Sequence, residues 1–547
     1  MSAVIAYLAV WLDSTPSWWL YIRHQWLNQT FTNGAAGQPL YQLNSFDISL
    51  LIPYFLVLGI LAFYGFHRYC LVYLYYRHRG RRATEPAARF AELPPVTVQL
   101  PLYNERFVVD RLIDSVCRLE YPAGRLEIQV LDDSTDETVE VARAAVERAR
   151  ARGHAIEYFH RSNREGFKAG ALQAGMRSAQ GELIAIFDAD FVPPADFLLR
   201  TVHFFTDPKL GMVQTRWGFI NRDYSWLTRV ESILLDGHFI LEHGGRYRSG
   251  LFFNFNGTAG IWRRQAIEQA GGWQHDTLTE DTDLSYRAQL VGWKFLYLPE
   301  VECPSELPVD MNAFKVQQAR WAKGLIQTSK KILPRLLCNP GVSPREKLEA
   351  WWHLTANISY PLMIVLCILL LPAMIVRFYQ GWFQMLYLDL PLFIAATMSV
   401  SSFYMVAQRE LYPRAWKSVL IFMPLVMAVG IGLTVTNTRA VLEALFGIRS
   451  PFQRTPKFRI ETRKDRVAGV AYRRKIGWSP LIELALGSIF AWVTFYAIQN
   501  ENYLTVPFLL LFVGGYWVTG LLSLFQGRRP RSQPVALETA LTAGQDS

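Results

Sequence analysis

Residues 184–190 read "IAIFDAD". A short unbroken run of branched and aromatic apolar residues reads as a buried strand. This one ends on two carboxylates, Asp188 and Asp190, one residue apart. Alternate side chains of an extended chain share a side, so both acids point the same way. That suits a hard divalent cation bridging phosphate oxygens. An Asp after a buried strand otherwise serves a turn, and DxD by itself is common, so the surrounding sequence carries the decision.

Working outward, "VTVQL" (96–100), "EIQVL" (127–131), "IEYFH" (156–160) and "LIAIF" (183–187) read as strands, with helices expected near 105–119, 136–152 and 168–179. The alternation predicts a mostly parallel sheet covered on both faces, with ligands beyond the carboxyl ends of its strands. The second run leads into Asp132 and Asp133, whose "DDSTD" context also reads as a turn. In "NREGFKAGALQAG" (163–175) three glycines lead a loop into a helix, with Lys168 at its start. A cation there opposes the helix dipole unless an anion binds the same N-terminus, which favours a phosphate. Neither a Walker A sequence nor GxGxxG occurs, which argues against an NTPase or a dehydrogenase.

Further along, "LTEDTDL" (278–284) gathers Glu280, Asp281 and Asp283 within four positions. Like charges this close raise one another's pKa. A helix start accounts for them cheaply, with Thr279 as cap and the acids facing the positive end of the dipole. A site that needs a carboxylate accounts for them too.

The chain of 547 residues is too long for one core. Its hydrophobic fraction of 51% and formal charge of +10 are unevenly spread. Residues 90–310 read as a soluble α/β domain; the flanks carry long apolar runs. Residues 48–76 run into "RHRGRR" (77–82), long enough to cross ~30 Å of hydrocarbon with a basic end. Further candidate spans are 356–376, 386–407 and 418–435 within 356–448, then 480–498 and 504–525 within 480–526. An integral, multi-pass membrane protein is expected. The Lys and Arg bias puts the α/β domain and the segment 449–479 in the cytoplasm. Three candidate spans between them make an odd number, so one must be re-entrant, interfacial or double. Residues 1–47, rich in Trp, read as interfacial, and 527–547 as a disordered tail. No basic n-region opens the chain, so a cleaved signal peptide is not expected. The five cysteines lack CxxC or zinc spacing, as free thiols in a reducing compartment would. The basic residues flank spans and form no recognition stripe, so nucleic acid is not an expected partner.

In order, "VTVQLPLYNE" (96–105), "VLDDSTD" (130–136), "GFKAGAL" (166–172), "FDAD" (187–190), "FNGTAGIWRR" (255–264), "TED" (279–281) and "QQARW" (317–321) resemble the family 2 glycosyltransferases of the GT-A fold, a Rossmann-like α/β domain. The flanking spans extend the resemblance to the processive branch, which includes cellulose, hyaluronan and chitin synthases. "VQTRWGFIN" (213–221) and "FNGTAG" (255–260) look closest to the cellulose-synthase-like A and C groups, makers of β-1,4-linked mannan or glucan backbones.

The resemblance implies roles. Asp132 and Asp133 would contact the nucleotide, Lys168 and Arg320 its diphosphate, and Asp188 and Asp190 a Mg²⁺ or Mn²⁺ ion. Asp281 would be the general base beside Glu280, inverting the donor to a β-product. Trp321, Gln317, Asn256 and Gly257 would face the acceptor. Residues 311–355 would be interfacial helices carrying QxxRW, although "MNAFKVQQARWAKGLIQ" also reads as a basic amphipathic helix on the membrane surface. "PFQRTPKF" (451–458) resembles the gating loop of processive synthases, with Thr455 closing over the donor. It departs from the F-x-V-T-x-K-G form of cellulose synthases.

The function so implied is polymerisation of UDP-glucose or GDP-mannose onto a growing polysaccharide. The polymer would cross the plasma (cell inner) membrane, with envelope proteins as further partners. A non-processive enzyme acting on a lipid acceptor shares the acids and the bilayer, but needs neither QxxRW nor the loop. A transporter or channel would lack ordered catalytic acids. The sequence leaves glucose against mannose open.

Overall fold

The computed structural model describes residues 45–82, 85–378, 392, 397–448, 454–465, 477–499, 503 and 505–527. The expected interfacial segment before residue 45, residues 449–453 and 466–476 of the basic loop, and the tail from 528 lie outside the described residues. Contacts divide the chain into two units, Met1–Phe55 with Leu369–Leu390 and Leu56–Ile368 with Pro391–Ser547. The first holds parts of two apolar helices. The second holds everything that bears on the site.

Seven strands make one sheet: β1 (Val96–Leu102), β2 (Leu126–Asp132), β3 (Ile156–His160), β4 (Leu183–Ile186), β5 (Leu210–Phe219), β6 (Gly260–Arg263) and β7 (Lys294–Ser305). Their order is β3-β2-β1-β4-β6-β5-β7. The first four pair in parallel, as the alternation predicts. β6 runs antiparallel to both β4 and β5, and β5 pairs in parallel with β7. The sheet is therefore mixed.

Strand periodicity explains its two covered faces. Leu183, Ala185 and Phe187 join one core with the helices Val109–Val116 (α2) and Thr138–Ala151 (α3). Ile184 and Ile186 join the other with Phe167–Gly175 (α4) and the fully buried Trp262. α2 starts at Val109 and not near 105, because the intervening turn ties two strand ends together. Asn104 has φ 54°, its N–H donates to Ser134 Oγ (2.8 Å), and its Oδ1 accepts from Thr135 N–H (2.8 Å).

Four described helical stretches are long and apolar enough to cross a membrane: Ser45–Arg77 (α1), Pro344–Met374, Ser479–Gln499 and Val506–Gln526. The expected span 418–435 is a pair of helices, Val419–Gly432 and Thr434–Leu445, bent by 41°. Of 386–407, the described part includes a helix, Ser399–Leu411, that packs against the helix Trp226–Gly237. Its Gln408 donates to Asp236 Oδ2 (2.7 Å) and accepts from Arg222 (3.0 Å).

Between domain and spans lies Met311–Cys338, the QxxRW helix, begun by the Asp310 side chain accepting from Ala313 N–H (2.8 Å). Lys315 on it is buried against Glu483 of Ser479–Gln499 (2.5 Å) and Ser523 of Val506–Gly527 (2.7 Å). A helix resting on a membrane surface would carry that ammonium outward. Here it is sandwiched by protein.

Candidate active site

The carboxyl ends of the parallel strands meet the turn at residues 256–257. Gly257 has φ +83°, and a Cβ there would lie 2.9 Å from Asp281 Oδ2 and 3.4 Å from Lys168 Nζ. Only glycine lets the backbone pass so close to both groups in this conformation. Lys168, in the first turn of α4, donates to the Gly257 carbonyl (2.9 Å) and pairs with Asp188. The Asp188 N–H donates to Thr258 Oγ1 (2.9 Å). One short turn therefore carries Lys168, Asp188 and Asp281 together.

Burial opposes the charge on Lys168, but Asp188, Glu280 and Asp281 around it outweigh burial and raise its pKa. Asp281 lies in the first turn of Glu280–Leu290, where its Oδ1 accepts from Thr282 N–H (2.6 Å). Burial, and then the neighbouring Glu280, push the Asp281 carboxyl up to about 7. Desolvation wins over the favourable helix start, and the group is poised to titrate near neutral pH. Glu280 is likewise raised by burial, with Lys168 and Arg320 opposing.

The structure adds to the reading of the rest of "LTEDTDL". Thr279 makes no capping hydrogen bond, and its Oγ1 lies 3.1 Å from Thr328 Oγ1 on the QxxRW helix. Asp283, in the first turn as expected, is also fully buried between Arg287 (2.8 Å) and Lys331 (3.0 Å), an internal ion pair.

Asp190 meets Lys457 Nζ at 2.7 Å. The segment 454–465 thus closes over the strand ends. Phe458 N–H donates to Glu306 Oε1 (2.9 Å), and the buried Thr455 hydroxyl has no hydrogen-bond partner among the described residues. Arg454 Nε lies 3.5 Å from Glu105 Oε1. Burial first, then Asp190 and Asp188, push the Glu105 carboxyl up to about 8 against Arg454 and Lys457.

Asp133 is clasped by Arg161 through two bonds (2.7 and 2.6 Å), and the same guanidinium donates to the Phe167 carbonyl before Lys168. Asp132 is fully buried beside it, accepting from Ser134 N–H (2.8 Å) and Tyr158 O–H (2.6 Å) in the turn after β2. Gln317, Arg320 and Trp321 lie half-buried on their helix, and Arg320 acts electrostatically on Asp188 and Glu280. That helix reaches the acids because Gly324 faces the loop before Glu280; a Cβ there would lie 2.6 Å from Thr279 Cγ2. Gln327 Oε1 also accepts from Leu278 N–H (2.9 Å).

Sequence reading passed over Glu105, Arg161 and Lys457 as site residues. Glu105 stood inside a quoted motif, and Lys457 inside the loop, but their partners are distant in the chain. Asn256 proves to be embedded among histidines: its Oδ1 lies 3.1 Å from His238 Nε2 and its Nδ2 lies 2.9 Å from His243 Nε2.

Asp188 and Asp190 fit a divalent cation. Each carboxylate already meets an ammonium group, so positive charge is held at both. Among the described residues no cluster of three or more His, Cys, Asp or Glu is placed to hold a metal, so further oxygens would come from a ligand.

A mixed sheet of this order, with acids gathered at its strand ends, is a GT-A fold. Residues 94–324 match the family described as "Glycosyltransferase like family 2", and this part of the chain is a family 2 glycosyltransferase domain. The chain is 46% identical over 263 residues to the probable glucomannan 4-β-mannosyltransferase 6 of Oryza sativa subsp. japonica, covering 47% of this chain and 46% of that protein. It is 44% identical over 261 residues to glucomannan 4-β-mannosyltransferase 9 of Arabidopsis thaliana, covering 47% and 49%. The chain thus spans about half the length of the curated relatives it matches. Among solved structures, it is similar to mannosyltransferase PcManGT from Pyrobaculum calidifontis in complex with GDP-Man and Mn²⁺, at 20% identity and a TM-score of 0.49, over 72% of this chain and all of that one.

Proposed function

We propose that the protein is a membrane-embedded, processive, inverting hexosyltransferase that extends a β-1,4-linked polysaccharide from a cytoplasmic nucleotide sugar and passes the polymer across the membrane. The observation that carries this is the convergence of Lys168, Asp188 and Asp281 on the turn at Gly257. An ammonium group suited to a diphosphate and a carboxyl that titrates near neutral pH share one small surface, which supports this reading. Relatives named as glucomannan 4-β-mannosyltransferases favour GDP-mannose over UDP-glucose.

In this reading Asp281 takes the proton of an acceptor hydroxyl, whose oxygen attacks the anomeric carbon from the face opposite the leaving group. The bond from that carbon to the diphosphate breaks, and the nucleoside diphosphate leaves with the electron pair. Lys168 and Arg320 hold the leaving diphosphate, Arg320 through its planar fork. Asp133 and Thr455 contact the nucleotide end, Glu280 tunes Asp281, and Trp321 and Gln317, one helical turn apart, face the acceptor. A Mg²⁺ or Mn²⁺ ion held by Asp188 and Asp190 with diphosphate oxygens would offset charge on the leaving group. The four apolar helical stretches support a membrane protein, and the Lys and Arg bias beside them supports a domain on the cytoplasmic face.

Purified protein given radiolabelled GDP-mannose and UDP-glucose tests the reading. High-molecular-weight product, digestible by β-mannanase or β-glucanase, supports it. Label confined to lipid extracts overturns processive synthesis in favour of a lipid acceptor.

A further inference from the structure

Away from the strand ends, an open cavity of about 450 Å³ has Asp223, Trp226, Arg229, Ser418, Phe422 and Arg463 in its lining. Three parts of the chain meet there: the loop that follows β5, the start of Val419–Gly432, and the segment 454–465. The reaction proposed above uses none of these six side chains.

Two guanidinium groups share one carboxylate. Asp223 Oδ1 accepts from Arg229 Nη1 (3.0 Å). Arg463 Nε donates to the Asp223 backbone carbonyl (2.6 Å), and among the described residues Arg463 has no carboxylate partner. Arg222 next door is already paired with the buried Asp236 (2.9 Å). Burial first, and then the charge of Arg222, lower the pKa of Arg229, with Asp223 opposing. The lining therefore holds more positive than negative charge, and an anion within it would relieve the excess. Arginine forks suit phosphate oxygens, and the volume lies in the roughly 300–1,000 Å³ range of small-ligand sites.

The other wall narrows the source of that phosphate. Ser418 and Phe422 lie near the start of a bent helix pair, Trp416–Gly432 with Thr434–Leu445, which together are long and apolar enough to span a membrane. Between them Leu420 and Ile421 are 50% and 77% exposed, and Trp226 across the cavity is exposed as well. Apolar side chains left bare on such a helix suit acyl chains, and tryptophan favours the headgroup level. Arg229 lies 5.9 Å from the Phe422 ring centroid, so the charged and apolar walls adjoin. A phospholipid presents the same two surfaces side by side.

We propose that this cavity binds the phosphate headgroup of an anionic phospholipid between Arg229 and Arg463, and that the bound lipid tethers segment 454–465 to the domain. Basic pockets beside spans on the cytoplasmic face take such headgroups. Lys457 of the same segment meets Asp190, so the tether acts on the stretch that closes over the strand ends. The inference rests on the membrane reading and not on the sugar-transfer reaction.

The test places full-length protein in nanodiscs of equal dioleoylphosphatidylglycerol and dioleoylphosphatidylcholine and counts retained lipid by native mass spectrometry. Wild type should keep phosphatidylglycerol in preference to phosphatidylcholine. Arg463→Gln, an exposed change, should lower that retention about tenfold, as loss of one charge-assisted contact predicts. Arg229→Gln should act in the same direction, whereas Arg148→Gln, on the surface of α3, should match wild type. Equal retention of the two lipids by wild type, or undiminished phosphatidylglycerol in Arg463→Gln, overturns the site. Displacement of the lipid by inorganic phosphate assigns the cavity to a free anion and overturns the lipid. Amide hydrogen exchange across 454–465 should slow about threefold in phosphatidylglycerol relative to phosphatidylcholine nanodiscs; equal rates overturn the tether. Protein that stays soluble without detergent or lipid overturns the membrane reading itself.

Discussion

Lys457 Nζ lies 2.7 Å from Asp190 Oδ2, while Lys168 pairs with Asp188. Each acid of the strand-end pair thus holds an ammonium from a different part of the chain, and a divalent cation must compete with Lys457 for Asp190.

Lys457→Gln should therefore bind Mn²⁺ more tightly in the absence of donor, by about tenfold, equivalent to ~1.4 kcal/mol. Titration followed by electron paramagnetic resonance of free Mn²⁺ reads this directly. An unchanged affinity would show that the Lys457 pair does not oppose the ion. Chelation by EDTA should stop transfer by the wild type, and added Mg²⁺ or Mn²⁺ should restore it.

Asp281 acts as a base only when ionised, and burial has raised its pKa to about 7. Transfer should therefore fall as pH drops below about 7, approaching tenfold per pH unit, and level off above it. Asp281→Asn should lower transfer by roughly 10²–10⁴-fold. Nucleotide binding, measured calorimetrically, should survive, because Lys168 and Asp133 are untouched. Loss of nucleotide affinity in that variant would contradict the base role.

Trp321 shares a helix with Arg320 but has no part in pairing the acids. Trp321→Ala should impair elongation more than donor hydrolysis, scored as polymer formed against free sugar released. Equal loss of both would remove Trp321 from the acceptor side.

Gly324 brings the QxxRW helix against the loop before Glu280, where a Cβ would lie 2.9 Å from the Leu278 carbonyl carbon and from Thr279 N. Those are backbone atoms, so the neighbour cannot simply rotate away. Gly324→Ala should cost about 1–3 kcal/mol through overpacking, seen as a lower Tm. It should also reduce transfer by shifting Arg320 relative to Glu280. Wild-type Tm and activity would mean that the helix can move without disturbing the site.

Much of the first half-sheet was legible because its signals are local. Alternating apolar strands and helical patterns located β1 to β4 to within one or two residues, and their parallel pairing followed. Residues 156–160 matched β3 end to end. The second half was not legible: β6 is four residues long, and its antiparallel place between β4 and β5 depends on which edges meet. At the site, the motifs named Lys168, Asp188 and Asp281 in advance. That Asp132 accepts from Tyr158 and Ser134 was not legible, because a buried turn acid and a binding acid look alike in sequence.

The sequence by itself determined that apolar runs flank an α/β domain and that acids recur in a set order at its strand ends. Both follow from periodicity and local residue type. Only the tertiary structure decided that Lys457 faces Asp190, that Asp281 is poised near neutrality, and that Arg229 and Arg463 line one cavity. Pairing energies and pKa values depend on through-space distance and on the water excluded around each group. Neither quantity is written in the order of residues along a chain.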